Sequence, residues 1–398
     1  MEGADFLERH LAATTPHPLG DRVVGAQGSW IELNGSERLF DMVSGVGTSS
    51  LGHGHPAILE AIHGQVDAHL HVMVYGEFAQ APQDRAAALL CSMLPAPLDT
   101  VYFVNSGTEA IEGAIKLARR VGAAEGRTKC IALQGAYHGG TTGALALAGK
   151  SARRDVFQPL LPDVEHVPLE DLSALTAIDE KTAAVFAETI QGDAGIRPLS
   201  SAYLNALRKR CDETGALLVL DEIQCGLGRT GRLHAFERAG IVPDVLCLGK
   251  ALGGGMPIGA LVARRGLMEQ LSFAPKLGHI TTFGGHPVTC AAAAAFLGAL
   301  KSEVDLPRVE RIGADWLARL SAHHAVREVR GQGLFLGVDL ESAEHVNLLV
   351  AEARKRGLLL FWFLSRPTGF RLAPPLNASD AELESAFLKL LAALDVVT

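Results

Sequence analysis

Hydrophobic positions change rhythm along the chain, and each rhythm predicts a different element. From Pro56 the segment AILEAIHGQVDAHL carries its apolar residues at helical spacing, and GEFAQAPQDRAAALLCSML repeats the pattern. Beyond residue 100 come short, almost unbroken apolar runs: VYFVNSG, KCIALQG, VEHVPL, AAVFAETI, ALLVLDEI and DVLCLGK. Several are separated by helical stretches such as TEAIEGAIKLARRVG and AYLNALRKRCDETG. Runs apolar at every position predict strands buried on both faces, and their alternation with helices predicts a largely parallel α/β sheet. In such sheets ligands sit at the carboxyl ends of the strands.

The flanks read differently. Residues 1–50 alternate strand-like runs, GSWIELNG and ERLFDMVSG, with turns, as an N-terminal arm and a small piece of sheet. After Pro287, VTCAAAAAFLGALKSE predicts a small-residue helix suited to close packing. From about residue 305 the pattern is a helix (VERIGADWLARLSAHH), a strand-like run (EVRGQGLFLGVDL), a helix (AEHVNLLVAEARKRG), strands near LLLFWF and FRLAP, and a last helix, DAELESAFLKLLAALD. The expected organisation is a large domain over 51–300 and a smaller α+β domain, built from both chain ends, over 1–50 and 301–398.

Composition narrows the function classes. With 398 residues, 48% hydrophobic and 20% charged, the chain is an ordinary globular protein, and its net charge of -8 argues against nucleic acid as a partner. The RKR triplets at 208–210 and 354–356 lie in helical patterns, as solvated faces. No uncharged apolar stretch reaches membrane-spanning length, and MEGADFLERH lacks the apolar core of an export signal. A soluble, cytoplasmic protein with no membrane partner is expected. Six cysteines are scattered without metal-ligand spacing, and the GHGHP crowding at His53 and His55 reads as a turn, so no metal is expected.

The chemistry clusters around Lys250. An apolar run, Val245 to Leu248, ends at Gly249, and Lys250 follows directly with Gly253, Gly254 and Gly255 behind it. A lysine amine in such a poorly solvated place loses its charge readily, and a neutral amine forms a Schiff base with an aldehyde. Three further features fall at strand ends. In VYFVNSGTEA, Ser106, Gly107 and Thr108 join a strand to a helix, where free N–H groups and hydroxyls bind a phosphate or, equally, where Ser106 simply caps the helix. In GAYHGG, Tyr137 offers a ring face to a flat heterocycle. In LLVLDEIQCG, Asp221 ends an apolar strand, a costly place for a carboxylate unless it caps the next turn or meets a protonated pyridine nitrogen, with Gln224 in reach of a ring oxygen.

Phosphate cradle, ring stacker, pyridine acid and Schiff-base lysine, in that order, are the parts of a pyridoxal 5'-phosphate site. With NSGTEA, AYHG, ETIQGDAG, LDEIQCGLGRTG, LGKALGGGMPIGA, TTFGGHP and FRLAPPL in order from about residue 40 to 376, the chain resembles the class III aminotransferases of fold type I, the group of ornithine, N-acetylornithine and 4-aminobutyrate aminotransferases. The resemblance implies roles. Lys250 matches the lysine that binds the cofactor and transfers the proton, Asp221 the partner of the pyridine nitrogen, and Gln224 the residue beside the ring oxygen. Gly107 and Thr108, with Ser106, match phosphate ligands, and Tyr137 and His138 lie beside the ring, with Glu188 behind Gln224. Thr282 matches a threonine that reaches the phosphate of the neighbouring subunit, which implies a homodimer. His286 stands where the family often has Asn.

Two matches concern substrate. Arg371 resembles the arginine that grips the α-carboxylate, and Asp193 stands where a glutamate of the ornithine and 4-aminobutyrate members pairs with it, so a weaker or longer Asp193–Arg371 gate is expected. The departure is at Gly140: members that bind a distal carboxylate read HGR where this chain reads His138-Gly139-Gly140. The implied activity is transfer of the terminal amine of an ornithine-like ω-amino donor to a 2-oxo acid, 2-oxoglutarate by family habit, in a ping-pong cycle. The alternatives are an amine:pyruvate ω-transaminase, which a missing arginine favours, and a pyridoxal-phosphate aminomutase.

Overall fold

The computed structural model describes residues 10, 12, 14–15, 19–74 and 76–397. The first nine residues, on which the reading of the N-terminus rests, lie outside the described residues. Strands follow in chain order as β1 (Val23–Gln27), β2 (Trp30–Leu33), β3 (Arg38–Asp41), β4 (Thr100–Val104), β5 (Lys129–Leu133), β6 (Val164–Val167), β7 (Thr182–Glu188), β8 (Ile190–Gln191) and β9 (Arg197–Pro198). They continue as β10 (Leu217–Asp221), β11 (Val245–Gly249), β12 (Gly259–Ala263), β13 (Glu328–Gln332), β14 (Phe335–Asp339), β15 (Leu358–Leu359), β16 (Phe361–Trp362) and β17 (Gly369–Leu372).

Seven strands form the central sheet in the order β4-β12-β11-β10-β7-β5-β6. All its pairings are parallel except those of β12, which runs against both β11 and β4. The reversal has a simple cause. A parallel crossover needs a dozen or more residues, and only the segment 250–258 joins β11 to β12. Strands β7 and β11 are buried at every position, as the apolar runs predict, and so is β12, which those runs did not include. The helix Gly107–Gly122 lays Ala110, Ile111, Ala114, Ile115 and Leu117 against β7, β11 and β12, with Arg119 and Arg120 in its last turn. The alanine-rich helix Pro287–Glu303 packs closely on Pro56–Ala68 and Ala81–Ser92.

The chain ends share a sheet. Strands β1, β2 and β3 form an antiparallel set, and β15 pairs in parallel with β3, Leu358 opposite Phe40 and Leu359 opposite Asp41. A second small sheet, β13-β14-β17-β16, is antiparallel throughout and holds Arg371 opposite Gly337. The run EVRGQGLFLGVDL, read as one strand-like stretch, is a hairpin. Gly333, at φ +55°, turns it, and a Cβ there would stand 2.5 Å from the Thr230 carbonyl carbon. Among the described residues no helix is long and apolar enough to cross a membrane.

Candidate active site

Lys250 leaves the end of β11 with φ +44°, in the left-handed region that side-chain-bearing residues avoid. The short return to β12 imposes this turn, and Gly254 (φ +57°) and Gly255 (φ +108°) complete it. These glycines do not line the pocket. A Cβ on Gly254 would lie 2.5 Å from Ile58 Cδ1, so that glycine serves packing against the Pro56–Ala68 helix. Burial lowers the basicity of the Lys250 amine, the charges of Asp221 and Glu188 oppose that fall, and Arg371 adds to it. An amine so placed gives up its proton more readily than an exposed lysine does.

Asp221 and Glu188 stand side by side, because their strands are in parallel register at that pair. One Asp221 carboxylate oxygen accepts the Ile223 N–H at 3.0 Å, and the other is bonded to His138 Nδ1 at 2.8 Å. His138 is buried, which disfavours its charged form, yet the hydrogen bond and charge of Asp221 more than offset this and raise its pKa. Glu188 accepts N–H bonds from Tyr137 and Gly192, both at 2.9 Å. Burial, reinforced by Asp221 and moderated by His138, pushes its pKa up to about 7. Glu188 thus fixes the backbone under Tyr137 and lines the pocket itself, rather than sitting behind Gln224. The adjacent Glu222 points elsewhere and accepts the Ala235 and Phe236 N–H groups, so the two acids of LDEI divide between site and scaffold.

Gly107, Thr108, Tyr137, His138, Gly139, Gly140, Glu188, Asp221, Ile223, Gln224 and Lys250 line one pocket of about 230 Å³. Ser106 does not face it. Its hydroxyl caps the helix by accepting the Glu109 N–H at 3.4 Å, which leaves the first turn at Gly107 and Thr108 to present its N–H groups. The cap reading of NSGTE holds at Ser106, while Gly107 and Thr108 line the pocket. Close backbone approach is built in: a Cβ on Gly107 would meet Ile223 at 2.9 Å, and one on Gly192 would stand 1.9 Å from Gln224 Oε1. The donor set fits pyridoxal phosphate. A helix N-terminus stands at one side for a phosphate, a buried carboxylate braced by His138 at another for a pyridinium, and an amine of depressed basicity completes the set.

Asp193 and Arg371 face each other as a long pair. Arg371 is 4% exposed, with its guanidinium carbon 4.8 Å from the Phe363 ring centre, its Nη2 4.0 Å from Asp193 Oδ1, and its Nε unpartnered. Asp193 is held by the Leu364 N–H at 3.1 Å and by the Ser365 hydroxyl, and its second oxygen lies 3.8 Å from Arg153 Nη2. Thr282 is exposed and lies apart from this pocket, beside Phe283. His286 caps the Pro287–Glu303 helix, its Nδ1 accepting the Val288 N–H at 3.3 Å.

Two parts of the site had no strong sequence signal. One is the loop 44–47, where Ser44, Gly45, Val46 and Gly47 all have positive φ. Asp41, fully buried, holds it by accepting the Val43, Ser44 and Gly45 N–H groups at 2.9, 2.8 and 3.2 Å. A Cβ on Gly47 would stand 3.9 Å from Lys250 Cδ and Gln224 Cγ, so the N-terminal segment walls the site. The other is Arg153, whose guanidinium carbon lies 5.8 Å from the Tyr137 ring centre. His53 and His55 diverge, to Asp41 at 2.9 Å and Glu303 at 3.0 Å, as a turn rather than a ligand pair.

Comparison with known proteins gives a consistent picture. Residues 13–394 match the family model described as aminotransferase class-III. The chain is 42% identical to the acetylornithine aminotransferase of Methanopyrus kandleri, over 99% of each chain. It is 43% identical to that of Mycobacterium tuberculosis, over 89% of this chain and 87% of the relative. Among solved structures, an ornithine aminotransferase from Toxoplasma gondii superposes with a TM-score of 0.91 at 30% identity, over 99% of this chain and 94% of the other. A thermostable (S)-enantioselective omega-transaminase from Thermomicrobium roseum gives 0.89 at 29% identity, over 99% and 98%.

Proposed function

Because the chain belongs to the class III aminotransferase family, with pyridoxal phosphate as its cofactor, we propose that it moves the terminal amine of an ornithine-like ω-amino donor to 2-oxoglutarate in a ping-pong cycle. The observation that carries this reading is the stretched Asp193–Arg371 pair beside Lys250, an acid gate on a buried arginine. Such a pair suits one site that meets an amine remote from a carboxylate in one half-reaction and an α-carboxylate in the other. Relatives named acetylornithine aminotransferase support the same donor class.

The cofactor, when bound, supplies an electron-withdrawing pyridinium conjugated to the reacting carbon. The chain's own residues do the rest. Lys250 Nζ would hold the cofactor's aldehyde and, when free, would carry the proton from the donor carbon. Asp221, braced by His138, would favour a protonated ring nitrogen. Gly107 and Thr108 would bind the phosphate, and Tyr137 and Gln224 would face the ring. Arg371 holds the α-carboxylate, with Asp193 neutralising it when the ω-amine end is presented.

We read the assembly as a homodimer in which Thr282 reaches the neighbouring subunit's site. Ile280 and Phe283, close to that threonine in sequence, are exposed, and a cavity of about 460 Å³ beside them is lined by Val74, Tyr102, Leu277, Ile280 and Thr281 among others. Six free cysteines, five of them buried, suit the reducing cytoplasm.

The test is a half-reaction screen. The pyridoxal form is mixed with ornithine, N-acetylornithine, diamines and simple arylalkyl amines, and bleaching of its absorbance is followed. Conversion by the first two supports the reading, and conversion by arylalkyl amines alone overturns it in favour of the amine:pyruvate ω-transaminase that Gly140 favours. Asp193→Ala should slow the ω-amine half-reaction at least tenfold more than the glutamate half-reaction, and equal effects would reject the gate.

A further inference from the structure

Gly140 lines the pocket without a side chain, and a Cβ built there would meet nothing within 4 Å. The space next to that backbone is open. A different guanidinium stands over the ring of Tyr137, another residue of the pocket wall. Arg153 comes from the short helix Ser151–Arg154, and four observations fix its head group. Its Nε donates to the Ser365 hydroxyl at 3.2 Å, and its Nη2 stands 3.8 Å from Asp193 Oδ2. Its guanidinium carbon is 5.8 Å from the centre of the Tyr137 ring, which lines the pocket, and its side chain is 32% exposed. The nearby Lys150 is committed elsewhere, its amine donating to the Ser365 carbonyl.

Asp193 therefore lies between two arginines, Arg371 on Oδ1 at 4.0 Å and Arg153 on Oδ2 at 3.8 Å, neither distance that of a tight pair. One carboxylate cannot neutralise two guanidinium groups, so the three side chains carry a net positive charge. From this arrangement we infer that Arg153 is the specificity-determining residue for a second, distal carboxylate, and that dicarboxylic substrates bind across Arg371 and Arg153. The inference rests on the aminotransferase reading above and names the substrate class of the same site. The bidentate fork of Arg153 keeps N–H groups beyond Nε for a carboxylate, and its partial exposure lowers the desolvation cost of taking one. A monocarboxylic oxo acid such as pyruvate has nothing to place there.

The experiment uses the full-length holoenzyme and two readouts. Binding of glutarate, an unreactive dicarboxylate, and of propionate is measured by calorimetry. KM is measured for 2-oxoglutarate and for pyruvate. Arg153→Ala should weaken glutarate at least tenfold more than propionate, and should raise KM for 2-oxoglutarate at least tenfold more than for pyruvate. Adding Gly140→Arg to that variant should recover much of the dicarboxylate preference. Equal changes for the mono- and dicarboxylates overturn the inference, as does a wild-type protein that binds both alike. Failure of the aminotransferase reading looks different: no amine bleaches the wild-type holoenzyme, whatever the glutarate binding shows.

Discussion

Glu188 illustrates how a single carboxyl group tunes the site. It shares register with Asp221, it is enclosed, and burial with that neighbouring charge lifts its pKa to about 7. In the unfolded chain the same group titrates near its ordinary value of about 4.3. Between the two values the folded protein holds a proton that the unfolded chain has lost, so this residue's contribution to stability is full below the lower value and fades as pH rises through about 7. Glu188→Gln removes one of the two carboxylate acceptors for the Tyr137 and Gly192 N–H groups and should lower Tm near pH 5. The deficit should shrink as pH rises to 8, because only the wild type then buries a charge. Thermal unfolding of the cofactor-free protein across that range checks it, and a constant deficit rejects the assignment. Lys250 and Asp221 were legible in the chain because each ends an apolar run. His138 as the brace of Asp221 was not, since 83 residues separate them and only the fold sets the 2.8 Å contact.

Elements meet at this site by their backbones. Gly107 opens the helix after β4, Gly249 ends β11, and a Cβ on Gly249 would lie 3.3 Å from both Gly107 Cα and Ile223 Cγ2. On Gly259, at the start of β12, it would lie 2.1 Å from the Ser106 carbonyl oxygen. Helix start and strand ends are thus locked without side chains between them, which keeps the first-turn N–H groups at the pocket wall. Gly107→Ala puts a methyl 2.9 Å from Ile223 and should cost about 1–3 kcal/mol of overpacking. It should also weaken pyridoxal phosphate at least tenfold, measured by cofactor titration with absorbance. Ile223→Ala in the same chain should restore much of that affinity, and failure to do so would mean that the loss does not come from this contact. The strands of the central sheet were legible from their apolar runs except β12, which follows the glycines behind Lys250 and was not read as a strand. The hairpin at Gly333 was not, because β14 is buried at every position, so the run stays apolar past the bend, and no polar pair marks the turn.

For the molecule as a whole, the two chain ends converge on the site. Arg229, fully enclosed, donates to the Leu334 and Pro374 carbonyls and to the Ser50 hydroxyl at 2.8 Å, tying residues far apart in sequence. Burial alone brings its pKa down to about 9, with Asp41 opposing. Beyond the single chain, the proposed homodimer makes a prediction at the exposed Ile280, which lies two residues from Thr282. If the proposal holds, wild type sediments as a dimer and Ile280→Glu shifts it to monomer and reduces activity at least tenfold, and a monomeric wild type would remove the role given to Thr282.

The sequence by itself determined the local grammar: which runs are strands and helices, and which lysine and which acid close them. Those features are local because burial on both faces, capping and strand ends leave marks on adjacent residues. Tertiary structure alone decided what surrounds them. It set His138 against Asp221, brought the loop 44–47 beside Lys250, and spread one Asp193 between Arg371 and Arg153. The physical reason is distance along the chain: contacts between segments far apart in sequence follow from sheet order and packing, and no periodicity within either segment encodes them.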